Sequence, residues 1–334
     1  MTFEAKLPIT VILPVKNEAP NLKRCLDACQ QAARVIVIDS QSSDGTREIA
    51  SQAGVEVVQF VHTGGYPKKR QWALDTLPIE TEWVLFLDAD EVVTETLWSE
   101  IESAIASPAG KNGFLIRKGF HFLGRRFRFG GFSHQAVLLI RKGRGRFEQL
   151  VEVPEDSLDM EVHERMIVEG KIGVLRSPLI HEDFKGLEAY VDRHNRYSTW
   201  EAFVRLHSLE TGSYGRSHVE ARLLGNVQER RRWLKLFLIR VPGEPWWWFV
   251  YHFVLRLGFL EGRRGLIAAQ IRRQYIANAR AKMYELKLRR QQPDACTSAC
   301  RSRNKVSGIN LCGTPSTIPE SQRRVTSSPS SRTP

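Results

Sequence analysis

The stretch WVLFLDADE, residues 83–91, constrains the fold of this chain more than any other feature. Its apolar run has the length of a strand that is buried on both faces. Asp88 and Asp90 follow at once, so both carboxylates are expected where the strand ends. Open α/β sheets bind their ligands at the carboxyl ends of the strands. The pattern therefore predicts a polar site at a sheet edge, although such a pair could also merely solvate the strand end or cap a helix that begins near Thr94.

Three earlier apolar runs, at residues 9–13, 35–38 and 55–60, are separated by segments with helical spacing. Strands that alternate with helices indicate βαβ units and a parallel sheet. One helix is expected over residues 21–31, with Cys25 and Cys29 on its buried face.

Polar loops follow the first two strands and precede the helices. The loops read PVKNE, residues 14–18, and DSQSSDGT, residues 39–46. We therefore expect Asn17, Glu18 and Asp39 to converge with Asp88 on one edge of the sheet. Two aspartates of one loop can share a divalent cation, and Mg²⁺ typically takes its other ligands from water and substrate phosphate. The pattern thus implies a nucleotide diphosphate partner.

PVKNE, VIVIDSQSSDGT, GYPKKRQWAL and WVLFLDADE resemble, in order and spacing, the inverting family-2 glycosyltransferases of the GT-A fold. Later segments are similar to the bacterial members that add a hexose to the lipopolysaccharide core or to an exopolysaccharide: VHERMIVEGKIGVL, PLIHEDFKGLEAYVDRHNRYSTWEA and LRLGFLEGRRGL. The resemblance covers about residues 8–288. It implies an α/β fold with a Rossmann-like, mostly parallel sheet flanked by helices. It also implies transfer of a hexose from a nucleotide diphosphate sugar, namely UDP-glucose or another UDP-hexose, to a cell-envelope glycan.

The resemblance assigns roles to residues of the first loops. Pro14, Asn17 and Glu18 would line the nucleotide pocket, and Asp39 would accept a hydrogen bond from the uracil ring. Asp88 would meet the ribose or the metal.

The same resemblance places Mg²⁺ or Mn²⁺ at Asp90, and His181 is a candidate third protein ligand beside Asp88 and Asp90. In the third loop Arg70 would neutralise diphosphate charge, as a guanidinium does well. Its neighbours Lys68 and Lys69 would either assist or form a solvated basic turn. Gln71 departs from the asparagine that family members often carry there.

Inverting transfer needs a base that takes the proton of the acceptor hydroxyl. We favour Glu164, because the strand-like residues 165–168 would hold it on an ordered element. His163 competes, since histidine titrates near neutral pH. The remaining candidates are Asp159, Glu161, Glu182 and Asp183.

Four segments are expected. Residues 1–118 form the nucleotide-sugar half of the catalytic domain and residues 119–215 the acceptor half, which contains the loop or β-hairpin FHFLGRRFRFGGFSHQ and a long helix over residues 187–209. Residues 216–290 carry 17 Lys and Arg against 5 Asp and Glu, which accounts for much of the basic charge. Residues 291–334 are expected to be disordered because they lack apolar periodicity.

The basic segment also contains the tryptophans and leucines of residues 246–260, which are too few and too interrupted to span a bilayer of about 30 Å. We expect a C-terminal helical appendage that associates with an anionic membrane surface, or alternatively one that packs on protein. Binding of nucleic acid is not expected, because no binding module is recognisable.

The polar N-terminus and the five cysteines favour a cytoplasmic enzyme, peripheral on the inner face of the cell membrane. Zinc at Cys296, Cys300 and Cys312 would lack a fourth ligand nearby. Two other functions remain open: a polyprenyl-phosphate glycosyltransferase, which needs no general base, and a catalytically inactive membrane-associated binding protein.

Overall fold

The computed structural model describes residues 6–151, 164–225 and 227–291. Contacts between residues group Met1–Glu285 into one compact unit. The strands are β1 (Leu7–Val15), β2 (Ala32–Asp39), β3 (Glu56–Gln59), β4 (Trp83–Phe86), β5 (Glu91–Val92), β6 (Lys111–Phe122), β7 (Arg125–Arg126), β8 (His134–Arg141), β9 (Gly145–Phe147), β10 (Gln149–Leu150), β11 (Met166–Val168), β12 (Lys171–Val174), β13 (Leu179–His181) and β14 (Gly215–Ser217). The α-helices are α1 (Ala19–Asp27), α2 (Thr46–Gln52), α3 (Lys69–Thr76), α4 (Glu95–Ala106), α5 (Gly186–Thr211), α6 (Val227–Ile239), α7 (Glu244–Val250) and α8 (Gly262–Gln291).

The main sheet runs in the order β3-β2-β1-β4-β8-β6-β13-β5, with β7 and β12 as further neighbours of β6. Strands β1 to β4 pair in parallel, whereas β8 is antiparallel to both β4 and β6. The carboxyl ends of β1, β2 and β4 therefore meet at one edge. The predicted α/β fold, a Rossmann-like sheet flanked by helices, is confirmed. The sheet was expected to be mostly parallel and is mixed, because β5, β7 and β8 pair antiparallel to their neighbours.

Alternation along β4 explains why its sequence is apolar throughout. Trp83 and Leu85 pack with α1 and α4 on one side of the sheet, whereas Val84 and Phe86 pack with α3 on the other. Successive side chains of a strand point to opposite faces, so a strand covered on both faces needs apolar residues at every position. Thr94, rather than the acidic pair, caps α4 by accepting the Leu97 N–H at 3.3 Å.

Some boundaries differ from the prediction. Helix α1 begins at Ala19 and ends at Asp27, so it is shorter at its end than expected, although Cys29 beyond it is still buried. The segment FHFLGRRFRFGGFSHQ begins with a β-hairpin. In this hairpin β7 pairs with the end of β6, and Leu123 and Gly124, both with positive φ, form the turn between them. The long helix was predicted correctly as α5.

The C-terminal segment is helical and packs on the rest of the unit. A π-helical turn, Tyr251–Leu255, and a 3₁₀ turn, Gly258–Glu261, join α7 to α8. Buried Arg205 of α5 binds Glu201 and also Glu244 of α7, and Arg280 of α8 binds the same Glu244 at 3.2 Å. Among the described residues, none of the helices combines the length and the apolar character needed to cross a membrane.

The segment boundaries proposed at residues 118, 215 and 290 stay predictions. The expected disorder of residues 291–334 and the three cysteines there fall, apart from Gln291, outside the described residues. The base candidates Asp159, Glu161 and His163 lie outside them as well.

Candidate active site

Hydrogen bonds join the loop after β1 to the loop after β2. The Asn17 N–H donates to Ser42 Oγ at 2.8 Å, and the Ser43 N–H donates to Asn17 Oδ1 at 2.8 Å. Asn17 has φ 55°, a left-handed conformation that asparagine tolerates. Ser42 Oγ donates in turn to Asp39 Oδ1 at 2.5 Å. Asn17 and Asp39, expected to converge, are thus linked through one serine.

Asp39 is fixed at the end of β2. Its Oδ2 accepts from Gln59 Nε2 at 3.0 Å, and the Ser42 N–H reaches both carboxylate oxygens. Pro14 is buried next to the end of β1, opposite Ile38 of β2. Because each carboxylate oxygen has two lone pairs, Asp39 retains capacity for a further donor such as a ring N–H.

Glu18 links the first loop to the segment after β13. Lys185 Nζ lies 2.5 Å from Glu18 Oε1, and Asn21 Nδ2 donates to Glu18 Oε2 at 2.9 Å. Burial outweighs the opposing charge of Lys185 and raises the pKa of Glu18. Asn21 also donates to Asp183 Oδ1 at 3.0 Å. A carboxylate and a cation thus face each other between the loop after β1 and the segment after β13.

Asp88 is held between two cations. Arg70 reaches Asp88 Oδ1, and Lys118 Nζ lies 2.9 Å from Asp88 Oδ2. Burial alone would raise the pKa of Asp88, but the charges of Arg70 and Lys118 prevail and lower the pKa well below its ordinary value. Glu91 accepts the Asp88 N–H at 3.0 Å and also binds Lys118. This contact fixes the turn that carries both aspartates.

Asp90 faces His181. Asp90 Oδ2 lies 3.3 Å from His181 Nε2, and the Glu182 N–H donates to the Asp90 carbonyl at 2.9 Å. Burial lowers the pKa of His181, but the charge of Asp90 overcomes this effect and the net shift is upward. His181 Nδ1 is buried without a hydrogen-bond partner among the described residues.

These residues fit a divalent cation in part. Asp90 and His181 offer one carboxylate and one imidazole nitrogen side by side, and Mg²⁺ or Mn²⁺ accepts carboxylate oxygen, water and phosphate as ligands. The described residues contain no group of three His, Cys, Asp or Glu side chains arranged as metal ligands, since Asp88 binds Arg70 and Lys118 instead. A cation held here would take its remaining ligands from a diphosphate and water.

The third loop differs from the expected basic turn. Lys69 is 1% exposed and donates to the Val15 carbonyl at 2.8 Å, while Lys68 is buried and lies 3.1 Å from Glu164 Oε1. The alternative of a solvated turn is therefore wrong for both lysines. Gln71 accepts the Phe147 N–H at 2.8 Å, so the residue that departs from the family pattern ties α3 to β9.

Glu164 lies two residues before the first residue of β11, and its side chain is nearly buried. Its partner Lys68 immediately precedes α3, and Arg70 in the first turn of α3 binds Asp88. One helix end thus connects the candidate base with the strand-end aspartate. The other described candidates have different partners: Glu182 pairs with Arg24 at 2.9 Å and Asp183 with Arg193 at 2.7 Å.

Tyr197 of α5 is close enough to Asp88 and Asp90 for their charges to affect its pKa. Burial raises its pKa to about 12, opposed by the charge of Arg193 and assisted by Asp88 and Asp90. Trp200 instead packs in a separate core cluster, and Asn195 binds Lys282 at 2.8 Å.

Sequence reasoning missed three residues of the site: Lys118, Lys185 and Glu91. Lys118 gave no clear signal, because β6 also contains the cations Lys111 and Arg117; only its burial shows that it needs a paired carboxylate. Lys185 and Glu91 gave no signal, since polar residues beside a loop are ordinarily solvated.

The comparison with protein families identifies the class of enzyme. The model of Glycosyl transferase family 2 matches residues 10–124, a range that contains Asn17, Asp39, Asp88 and Asp90. The chain carries a family 2 glycosyltransferase domain. The expected family and enzyme class, a glycosyltransferase, are therefore confirmed.

Relatives of this glycosyltransferase span more of the chain than the family model does. The lipopolysaccharide core biosynthesis glycosyltransferase LpsC of Rhizobium meliloti is 25% identical over 210 residues, which cover 61% of this chain and 73% of LpsC. A solved structure of S. aureus TarS, residues 1–349, is 17% identical with a TM-score of 0.38 and covers 84% of this chain and 91% of that one.

A second solved structure is glucosyl-3-phosphoglycerate synthase of Mycobacterium tuberculosis in complex with Mn²⁺, UDP and glucosyl-3-phosphoglycerate. It is 24% identical with a TM-score of 0.28, and the match covers 35% of this chain and 45% of that one. The chain therefore spans less than half of the mycobacterial protein. TM-scores this low support no conclusion about donor, metal or acceptor.

Proposed function

We propose that this glycosyltransferase moves a hexose, with inversion, from a UDP-sugar to a glycan of the cell envelope, such as lipopolysaccharide core or an exopolysaccharide. The observation that carries the proposal is the meeting of Glu18, Asp39, Asp88 and Asp90 at the ends of parallel strands, interleaved with buried cations. The family 2 domain and the similarity to LpsC support the same reaction.

The donor is held by the first two loops and by α3. Asp39 accepts a hydrogen bond from the uracil ring of the donor, and Ser42 and Gln59 hold its carboxylate oxygens in position. Pro14, Asn17 and Glu18 line the nucleotide pocket. Arg70 exchanges part of its contact with Asp88 for diphosphate oxygens, to which a guanidinium donates in a forked geometry.

Asp90 and His181, with Asp88 beside them, would hold Mg²⁺ or Mn²⁺. Such a cation, when bound, neutralises the charge that develops on the departing diphosphate. Lys118 keeps Asp88 ionised and fixed in direction, because its ammonium binds Asp88 and Glu91 together.

Glu164 takes the proton of the acceptor hydroxyl. Lys68, 3.1 Å away, keeps the Glu164 carboxylate oriented. A base held in one direction removes a proton from an acceptor bound in line with the sugar carbon, and this positioning supplies part of the rate enhancement.

The aromatic surface formed by Trp246, Trp247, Leu255 and Phe259 contacts the anionic inner face of the cell membrane. The four side chains are 59%, 55%, 68% and 47% exposed. Arg273 lies 4.3 Å from the ring of Trp246, so cation and aromatic ring would enter the headgroup region together. Each cation at such a surface contributes roughly 1 kcal/mol.

The test is a panel of UDP-, GDP- and dTDP-sugars with purified protein, with and without Mn²⁺ or Mg²⁺, following binding and slow hydrolysis. Metal-dependent selectivity for a UDP-sugar, lost in Asp90→Ala and retained in the surface control Asp27→Ala, is the expected result. Failure to bind any nucleotide sugar under all metal conditions would refute the proposal and favour an inactive membrane-bound protein.

A second candidate, transfer to a polyprenyl phosphate, is favoured by a cavity with four arginines beside the aromatic surface. A phosphate oxygen is already ionised at neutral pH and needs no general base. Full turnover by a Glu164→Gln enzyme would therefore favour this candidate.

A further inference from the structure

A cavity of about 620 Å³ opens between the β6–β7 hairpin and the C-terminal helical segment. Its size lies within the range of about 300–1,000 Å³ that small-molecule sites occupy. Four arginines line it: Arg117, Arg126, Arg128 and Arg256. We infer that this cavity binds a phosphate group of the acceptor. The inference rests on the proposed function and specifies its acceptor as phosphate-bearing.

The cavity has cationic side chains without anionic ones. No Asp or Glu lines it, and the ion pairs between described residues involve none of the four arginines. Glu261 accepts the backbone N–H groups of the lining residues Arg128 and Phe129 at 2.7 and 2.9 Å and pairs with Arg125 at 3.5 Å. Four guanidinium groups that share one cavity repel one another, so an anion bound among them lowers the free energy.

Arg256 is fixed in position by the backbone around it. Its carbonyl accepts the Gly130 N–H at 2.7 Å, and its N–H donates to the Tyr251 carbonyl at 2.8 Å. Gly131 makes room for its side chain, because a Cβ on Gly131 would lie 2.8 Å from Arg256 Nε. The backbone that carries Arg256 is therefore held beside the cavity, while the four guanidinium groups are exposed to ligands.

The other residues of the cavity indicate which kind of phosphate compound fits. The lining residues include Leu257 and Leu255, both exposed, and Leu255 is also part of the aromatic surface. Another lining residue is Gly119, which follows Lys118, the partner of Asp88. An acceptor with its phosphate among the arginines would therefore lie between the membrane-facing residues and the strand-end aspartates.

Phosphate is the anion that this chemistry favours. A guanidinium donates two parallel hydrogen bonds to phosphate oxygens, and charge-assisted bonds of this kind are about twice as strong as neutral ones. The phosphate can belong to a lipid headgroup or to a soluble phosphorylated saccharide, because both present the same oxygens.

The experiment measures phosphate binding by the full chain with UDP and Mg²⁺ at saturation, so that the donor site is filled. One arm titrates inorganic phosphate by calorimetry. The other uses sedimentation with phosphatidylcholine vesicles that either contain or lack phosphatidic acid. The variant Arg126→Ala/Arg256→Ala is compared with Arg144→Ala/Arg176→Ala, which removes the same charge from exposed positions that do not line the cavity, and with Arg126→Lys/Arg256→Lys. Thermal unfolding checks that each variant is folded.

We expect the cavity variant to bind at least one probe about tenfold more weakly or worse, the lysine variant to recover part of the loss, and the exposed-charge control to bind normally. The arm that shows the loss identifies the source of the phosphate. The inference is overturned if the unaltered protein binds neither probe, or if the cavity variant and the control bind alike. UDP-sugar hydrolysis by the unaltered enzyme needs no acceptor, so it tests the proposed function separately.

Discussion

Lys118 Nζ lies 2.9 Å from Asp88 Oδ2 and also binds Glu91, which is completely buried. Strand β6 thereby supplies the counter-charge for the loop after β4, although 30 residues separate lysine and aspartate. Burial lowers the pKa of Lys118, but Asp88 and Glu91 reverse the effect and raise it, so the lysine stays charged.

Removal of the Lys118 charge should destabilise the protein. Lys118→Met removes the cation that binds Glu91 and one of the two cations that bind Asp88, and breaking a buried ion pair of this kind costs about 3 kcal/mol or more. Urea unfolding measures the loss. The exposed control Lys23→Met, which removes a surface pair with Asp27, should change the free energy of unfolding by less than about 1 kcal/mol. Equal effects of the two substitutions would show that Lys118 has no special role.

Glu164→Gln should separate catalysis from binding. If Glu164 is the base, turnover falls by about 10²- to 10⁴-fold, while donor affinity stays within about tenfold, because the group acts only in proton transfer. Steady-state rates and UDP-sugar binding measure both quantities.

The exposed Glu169→Gln serves as the control for this substitution, since Glu169 pairs with Arg144 at the surface. Asp183→Asn tests the competing carboxylate. A Glu164→Gln enzyme that keeps most of its rate, together with an inactive Asp183→Asn enzyme, would transfer the role of base to Asp183.

Vesicle binding should depend on the aromatic surface. Trp246→Ser/Trp247→Ser removes two exposed rings, and we expect sedimentation with phosphatidylglycerol vesicles to fall by about tenfold or more. Val61→Ser/Val174→Ser, at exposed apolar positions on other elements, should bind as the unaltered protein does. Unchanged binding by the tryptophan variant would leave the membrane part of the proposal without support.

The presence of β1 to β4 as parallel strands could be predicted, because each lies in an apolar run of the right length and a polar loop follows it. The convergence of Asn17, Glu18 and Asp39 followed from it, since parallel strands end at one edge. Local sequence and sheet geometry alone are enough for this prediction.

The cations of the site could not be predicted in the same way. Lys118 reaches Asp88 because β6 and β4 both pair with β8, and Lys185 reaches Glu18 across 167 residues. Such contacts depend on strand order far along the chain. The burial of Lys69 could not be predicted either. The same basic tripeptide suits a solvated turn or, as observed, a buried lysine that donates to the Val15 carbonyl of β1.

Acid should weaken the docking of the C-terminal segment through His252. Its ring stacks on Phe132 at 4.5 Å and on Trp248 at 5.6 Å, and its Nδ1 lies 2.7 Å from the Gly130 carbonyl. Burial first, and then the charges of Arg272 and Arg256, lower the pKa of His252 to about 4.

Because the folded pKa lies below the unfolded value of about 6.5, the unfolded chain binds a proton between pH 6.5 and 4 that the folded chain does not. Neutral His252 makes its full contribution to the free energy of unfolding above pH 6.5. Up to about 3 kcal/mol of this contribution is lost as the pH falls to 4. Urea unfolding across this range should therefore show a shallower pH dependence for His252→Asn, whose amide can still donate to Gly130. A difference between the two proteins that stays constant with pH would contradict the neutral, buried imidazole, and an NMR titration of His252 would report its pKa directly.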